Sequence, residues 1–409
     1  MSDVQELHIH LSGRRIGSLT LIQGDRSILT FDQDYIDDPD RPTLSLSFKD
    51  SLGGLLTDFR PMRMQVEPFF SNLLPEGPLR RYLAERAGVK EVREFFLLWA
   101  LGIDLPGAVT LRPADEGSWL SETAIEDSRA KDRTDHALRF SLAGVQLKFS
   151  AFRNDGKSGG LVIPAKGAGG SWIVKLPADR FEGVPENEFA MMTLARQIGI
   201  DVPEIDLIDV SEIKGLPDGL GVIKGKAFVI RRFDRSDNGP VHIEDFAQVF
   251  GVHPDDKYKK ASYRSIAHVL QVETGEQSVA EFIRRLVFST LIGNADMHLK
   301  NWSLIYPDGR TPMLSPAYDL LSTIPYIPDQ TAALKYARTR KMSEFTYDEL
   351  SYLAAKAGVA DKLVRQTADR TVEEFHETWA REKNHLGLAD AVIDAIDKHL
   401  LTLPLVSGR

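Results

Sequence analysis

Apolar and polar residues alternate between positions 5 and 60, in "LHIHLSGRRIGSLTLI" and again in "PTLSLSF", with turn signals at Gly13, Gly24 and "DDPDRP". A period of two predicts short strands. The spacing then lengthens. "PMRMQVEPFFSNLLPEGPLRRYLAERAGV" and "EVREFFLLWALG" place apolar residues three and four apart between Pro and Gly, which predicts helices. Residues 112–137 are polar, charged and nearly aperiodic, and are read as a linker closing an N-terminal domain of residues 1–111. Beyond it, the Gly-containing segment "FSLAGVQLKFSAF" and a Gly-rich stretch lead to a strand at "SWIVKLP", a helix at "PENEFAMMTLARQIG", and strands at "EIDLIDV" and "AFVIRRF". This is a mostly antiparallel sheet with one helix, a β-rich lobe over 138–236. From 242 onward the spacing is helical almost throughout, interrupted at 293–322, so residues 237–409 form an α-helical lobe.

The interruption follows the run "FIRRLVFSTLI", whose Phe282, Leu286, Val287 and Phe288 predict a buried helix ending at Gly293. The next residues, "NADMHLKN", crowd Asn294, Asp296, His298, Lys300 and Asn301 into one loop. Alone, this reads as a helix C-cap followed by a polar turn.

Composition narrows the classes. A chain of 409 residues implies two or three domains. It has no cysteine, which excludes disulfides, thiolate metal sites and a cysteine nucleophile, and fits a reducing compartment. The N-terminus lacks the charge and apolar pattern of a targeting peptide, and no apolar run approaches the ~20 residues that span a bilayer. A cytoplasmic protein without membrane attachment is expected. The net charge of −9 gives no general attraction to nucleic acid; "KYKKASYR" at 257–264 is read either as a local basic patch or, as lysine-bearing loops usually are, as solvated surface.

Phosphoryl transfer changes the meaning of the polar loop. A kinase catalytic loop carries an aspartate and, five residues on, an asparagine that holds Mg²⁺, and a further carboxylate holds metal. Asp296 and Asn301 have that spacing, and "LSPAYDLLS" brings Asp319 after an apolar stretch read as a strand. Mg²⁺ takes oxygen ligands and keeps waters, so one carboxylate, one amide and phosphate oxygens suffice. Upstream, Lys175 on "WIVKLP" is placed to reach ATP phosphates and Glu188 on the following helix to pair with it. "SLAGVQLKF" offers small residues for a phosphate loop, and "VIRRFDR" falls where the chain crosses between lobes.

With these parts in this order, the sequence resembles the HipA-type serine/threonine kinases, the toxin halves of bacterial toxin–antitoxin pairs. The resemblance runs through "FFSNLLPEG" (69–77), "SLAGVQLKF" (141–149), "IVKLP" (173–177), "NEF" (187–189), "RRFDR" (231–235), "GNADMHLKNWS" (293–303) and "YDLLS" (318–322). It implies an α+β fold, a two-lobed protein-kinase-like body preceded by a small mixed α/β N-terminal domain. It further implies ATP and Mg²⁺ as cofactors, Asp296 as catalytic base, Asn301 and Asp319 as metal ligands, and Glu188 as the ion-pair partner of Lys175. Ala143, Gly144, Val145, Gln146, Lys148, Lys175, Arg231, Phe233, His298 and Lys300 are the expected ATP-binding set, and Ser141 the autophosphorylated serine. His298 is read either as a loop support or phosphate contact, or as a structural histidine bonded to a carbonyl. Lys300 is read either as counter-charge to the γ-phosphate or as a surface lysine. Two positions depart from the family: Leu147 stands where a glutamate is common in the phosphate loop, and Arg231 where a glutamate often precedes "RFDR". The implied partners are a helix-turn-helix antitoxin of the HipB type, operator DNA through that antitoxin, and a protein substrate such as an aminoacyl-tRNA synthetase. A catalytically weak co-repressor and a small-molecule kinase are the competing readings.

Overall fold

The computed structural model describes residues 5–115, 148–153, 161–163, 170–177, 181–216, 223–327 and 329–407. The first sheet joins β1 (Glu6–Leu11), β2 (Arg14–Ile22), β3 (Arg26–Phe31), β4 (Met62–Arg63) and β5 (Val109–Pro113) in the antiparallel order β4-β3-β2-β1-β5. The alternation at Leu7, Ile9 and Leu11 does what a period of two requires, burying all three on one face. Four short helices cover this sheet: α1 (Gln33–Ile36), α2 (Pro68–Ser71), α3 (Gly77–Arg86) and α4 (Glu94–Leu101). One expectation fails here. "PTLSLSF" holds a 3₁₀ turn at Leu46–Phe48 and no strand, because the Ser45 hydroxyl accepts the Ser47 N–H and caps the turn.

The second sheet is built from β6 (Lys148–Arg153), β7 (Leu161–Val162), β8 (Trp172–Lys175), β9 (Ile205–Asp209), β10 (Ile213–Lys214) and β11 (Lys226–Arg231). Its order is β10-β7-β6-β8-β11-β9, antiparallel except for the β10/β7 pair. The helix α5 (Val184–Gln197) packs on β11 and β9, burying Met191, Met192, Leu194 and Ala195. A small hairpin, β12 (Arg235–Ser236) with β13 (Gly239–Pro240), follows the crossover.

The last part is helical around α7 (Tyr263–Glu273), α8 (Glu276–Leu291), α9 (Tyr347–Ala357), α10 (Asp361–Glu382), α11 (Asp390–Leu400) and the short α12 (Pro404–Ser407), with α6 (Phe246–Val249) at its start. Helix α8 is its axis: Phe282, Leu286, Val287 and Phe288 are buried as their spacing predicts. It is not all-helical. A three-stranded sheet, β14 (His242–Asp245), β15 (Ser303–Tyr306) and β16 (Met313–Leu314), lies within it. No helix among the described residues is long and apolar enough to cross a membrane.

The N-terminal domain is docked on the helical lobe through polar contacts to main-chain and buried groups. The Asn72 amide donates to the Val252 carbonyl at 2.7 Å, and the Gln248 amide to the Phe69 carbonyl at 2.9 Å. The buried Glu244 carboxylate accepts from Ser45 Oγ at 2.5 Å, the Leu46 N–H at 3.0 Å and the Tyr306 hydroxyl. Gly107 has φ +76°, and a Cβ there would lie 2.9 Å from Ile243 N, so only glycine lets this loop approach the lobe.

Candidate active site

The loop after α8 is fixed before any ligand enters. Gly293 ends the helix with φ +66°, and a Cβ at that position would strike Ile324 Cδ1 at 2.5 Å. Asn294 then works in two directions: its amide donates to the Asp319 carbonyl at 3.2 Å and its Oδ1 accepts the Asp296 N–H at 3.0 Å. The Ala295 N–H donates to Thr323 Oγ1 at 2.8 Å. The loop that carries Asp296 and the segment that carries Asp319 are therefore one hydrogen-bonded unit. The Tyr318 hydroxyl, donating to the Lys300 carbonyl at 2.9 Å, adds a second tie.

Within that unit Asn301 lies on a short 3₁₀ turn, Leu299–Asn301, and its Nδ2 donates to the Asp296 carbonyl at 2.8 Å. This bond leaves the Asn301 Oδ1 as the free end of the amide, the atom a hard cation would take. Asp319 does not follow a strand, contrary to expectation: β16 ends at Leu314, Pro316 intervenes, and Asp319 holds φ +55°. A non-glycine residue in the left-handed region is strained, and such strain concentrates at functional sites.

Across the cleft, the Lys175 ammonium is bound by the Glu188 carboxylate at 2.5 Å and by Asp319. Burial pulls its proton affinity down, but the Asp319 and Glu188 carboxylates outweigh burial and raise it above the usual lysine value. Lys175 and Lys148, with burial opposing them, hold the Asp319 carboxyl down at about 2. Lys148 stands directly opposite Lys175 in the β6/β8 ladder. Two like charges opposite each other on one sheet face repel, and only an anion between or beside them makes the pair favourable. Asp319 is the anion present. Helix α5 secures this arrangement from behind: Asn187 donates to the Ser322 carbonyl at 2.9 Å and accepts the Ser322 N–H at 3.1 Å, pinning the Asp319 segment beside Glu188.

Asp296 opens to solvent on one side and is walled by the cleft on the other. Desolvation raises its carboxyl above the usual range, against the Tyr258 hydroxyl, which donates to Oδ1 at 2.7 Å. His298 is buried and kept neutral, its ring pushed down to about 3 by burial and then by Lys257. Its edge meets the Tyr258 ring at 5.0 Å, and its Nδ1 has no partner among the described residues, so it makes no carbonyl contact there. The Lys300 ammonium is bound by Glu76 Oε1 at 2.8 Å and the Asn72 carbonyl at 3.0 Å. Lys257, read from the sequence as solvated, is ion-paired with Glu76 Oε2 at 2.6 Å.

At the crossover the Phe233 ring meets Tyr318 at 5.7 Å, and Arg231 points outward toward Glu204 at 3.7 Å. A cavity of about 310 Å³ opens beside them, lined by Pro203, Glu204, Phe233 and Pro316 among others. Ser141, Ala143, Gly144, Val145, Gln146 and Leu147 lie outside the described residues. The structure thus brings together Lys148, Lys175, Glu188, Asp296, His298, Lys300, Asn301 and Asp319. Sequence reasoning missed Glu76, Lys257 and Tyr258. "FFSNLLPEG" drew notice as a motif, but nothing local ties its acid to lysines some 180 and 220 residues away.

The donors present fit Mg²⁺ carried by ATP. Among the described residues no group of three or more His, Cys, Asp or Glu side chains forms a metal cage. One carboxylate and one amide, both oxygen donors, match an ion that completes its shell with phosphate and water.

The chain matches the family models described as HipA N-terminal domain over residues 7–112 and HipA-like C-terminal domain over 140–379. A candidate kinase of Sinorhizobium fredii, Y4dM, is 61% identical over 408 residues, 99% of this chain and 98% of that one. The serine/threonine-protein kinase toxin HipA of Shewanella oneidensis is 30% identical over 358 residues, 78% of this chain and 76% of that one. The solved complex of Shewanella oneidensis HipA, HipB and operator DNA contains a chain of the same fold, with a TM-score of 0.72 at 23% identity, covering 98% of this chain and 96% of that one. With a HipA N-terminal domain in front and a two-lobed kinase-like body behind it, this chain belongs to the HipA family of kinases.

Proposed function

We propose that the chain is a Mg·ATP-dependent serine/threonine protein kinase of the cytoplasm, acting as the growth-inhibiting toxin of a toxin–antitoxin pair. The observation that carries this reading is the Lys175 ammonium held between Glu188 and Asp319, with Asp319 tied through Asn294 to the loop of Asp296 and Asn301. Lys148 and Lys175 would take the phosphates of ATP, and Phe233, which lines the cavity at the crossover, would take its base. Asn301 Oδ1 and Asp319 would hold Mg²⁺, which would supply positive charge to the phosphate oxygens. Asp296 keeps Oδ2 for the substrate hydroxyl, since Tyr258 occupies Oδ1. Phosphoryl transfer has a loose transition state, so Asp296 acts mainly by orienting that hydroxyl and takes its proton late.

The solved complex of HipA with HipB and operator DNA supports a HipB-like antitoxin as partner and operator DNA reached through it; a helix-turn-helix build for that antitoxin and a translation-related substrate such as an aminoacyl-tRNA synthetase are what the family resemblance implies. Ser141, at the head of the phosphate loop, is the site of autophosphorylation. A phosphoserine adds roughly −1.5 to −2 charges, which cannot share the loop with ATP phosphates, so modification switches the enzyme off. The co-repressor role is compatible with this reading, as the HipA of the solved complex sits with HipB on operator DNA. Mass spectrometry after incubation with Mg·ATP tests the switch: phosphate on Ser141 with loss of ATP binding is expected. An active preparation free of phosphate at Ser141 removes it. Induced expression tests the toxin: growth stops with the wild type and continues with Asp296→Asn.

A further inference from the structure

One carboxylate of the N-terminal domain serves two lysines of the catalytic lobe. Glu76, the residue before α3, reaches Lys300 Nζ at 2.8 Å with Oε1 and Lys257 Nζ at 2.6 Å with Oε2. The bridge is not an ordinary surface pair. The three side chains are 28%, 15% and 18% exposed, and the two lysines hold the Glu76 carboxyl down at about 2 although burial opposes them. The turn that presents Glu76 is itself fastened. The Asn72 carbonyl accepts from Lys300 at 3.0 Å, while its side chain binds Pro68 O at 2.9 Å and Val252 O at 2.7 Å.

Both lysines lie one residue from a group that touches Asp296. Lys257 precedes Tyr258, whose hydroxyl donates to Asp296 Oδ1 at 2.7 Å. Lys300 precedes Asn301, whose amide donates to the Asp296 carbonyl at 2.8 Å. One route ends on the side chain of the base and the other on its backbone. Take Glu76 away and two neighbouring ammonium groups lose the carboxylate they share and repel, so each loop loses the tie that places it.

We propose that Glu76 is a positioning residue of the active site, by which the N-terminal domain holds Lys257 and Lys300 and so sets the placement of Asp296. The N-terminal domain is then a working part of the catalytic apparatus, and anything that pulls it off the helical lobe lowers turnover without touching ATP. The kinetic half of this proposal rests on the kinase reading. The structural half does not.

The test uses the full-length protein with Glu76→Gln, which keeps the shape and removes the charge, and Glu76→Asp, which keeps the charge. Hydrogen exchange followed by mass spectrometry is expected to accelerate about tenfold at residues 254–260 and 293–302 in Glu76→Gln, with α5 and α8 unchanged. Unchanged exchange in both loops overturns the proposal. Lys257→Met cuts the same bridge from the other side and must loosen the same loops, which covers the case in which Glu76→Gln fails to fold. For turnover, ADP formed from Mg·ATP is the readout. The kcat of Glu76→Gln is expected to fall about ten- to a hundredfold with KM for ATP unchanged, the scale of a catalytic group displaced by about 1 Å, and Glu76→Asp to recover part of it. In a Tyr258→Phe background the loss from Glu76→Gln should shrink to about threefold or less. Full additivity, or a rise in KM alone, overturns the route to the base. A wild type that forms no ADP refutes the kinase reading and leaves the exchange measurement to decide the placement of the loops.

Discussion

Asp319 holds a backbone conformation that costs about 1–3 kcal/mol, and the surrounding bonds force it there: Asn294 on its carbonyl, Lys175 on its carboxylate, Asn187 on Ser322 three residues later. The strain aims the carboxylate at Lys175. Asp319→Asn and Asp296→Asn should each lower phosphoryl transfer by about 10³ or more while leaving the melting temperature within a few degrees, as scored by turnover and calorimetry. Wild-type turnover in Asp319→Asn would remove the metal assignment. Lys175→Ala should weaken ATP binding or turnover; equal affinity by titration calorimetry together with equal turnover would contradict it. The Asp296–Asn301 pair was legible in the sequence because its geometry is local, five residues of one loop. Glu76 was not, since its partners are brought to it only by docking of two domains. His298 shows an intermediate case: the residue stood out, but its buried, neutral state depends on walls that no local pattern encodes.

At the scale of elements, periodicity found α5, α8, β8 and β11 because each buries a face or stripe, and found β9 although that strand is only half-buried along its length. It failed at "PTLSLSF", where alternating serines cap a turn, and at the approach to Asp319, where apolar residues flank Pro316 in an irregular segment. It also missed β14, a four-residue strand inside helical surroundings. That strand carries Glu244, whose carboxyl burial pushes up to about 7 despite donors from Ser45, Tyr306 and Leu46. A carboxyl raised on folding contributes its stability in full below its unfolded value near 4.5 and loses it as pH rises through about 7. Stability of the wild type relative to Glu244→Gln should therefore fall by roughly 3 kcal/mol between about pH 4.5 and 8, because each tenfold difference in proton affinity between the folded and unfolded chain is worth about 1.4 kcal/mol. Denaturant melts of the two proteins across that range measure it, and parallel curves would contradict the account.

On the scale of the whole molecule, the crossover between the lobes is also the anchor of the N-terminal domain. The buried Asp234 carboxylate accepts from Arg232 at 2.8 and 3.0 Å, from Arg235 at 2.7 Å and from the Gly107 N–H at 2.8 Å. Arg232 and Arg235 also reach Asp104 of the N-terminal domain, at 3.4 and 3.0 Å. Asp234→Ala leaves Arg232 and Arg235 with Asp104 as their one shared carboxylate and breaks a buried pair, which should cost about 3 kcal/mol in unfolding free energy, read by denaturant titration. "RRFDR" marked the crossover in the sequence, but its role in joining the domains depends on a contact more than a hundred residues distant. The central claim is that this assembly moves a phosphoryl group from ATP to a protein hydroxyl, with Asp296 orienting the acceptor. The most direct measurement is label transfer from γ-labelled ATP to serine or threonine, made with and without Mg²⁺ on the wild type and on Asp296→Asn. Transfer by the wild type with Mg²⁺ only is expected, with its loss in Asp296→Asn while ATP still binds. A folded, ATP-binding wild type that transfers nothing, or transfer undiminished in Asp296→Asn, would contradict it.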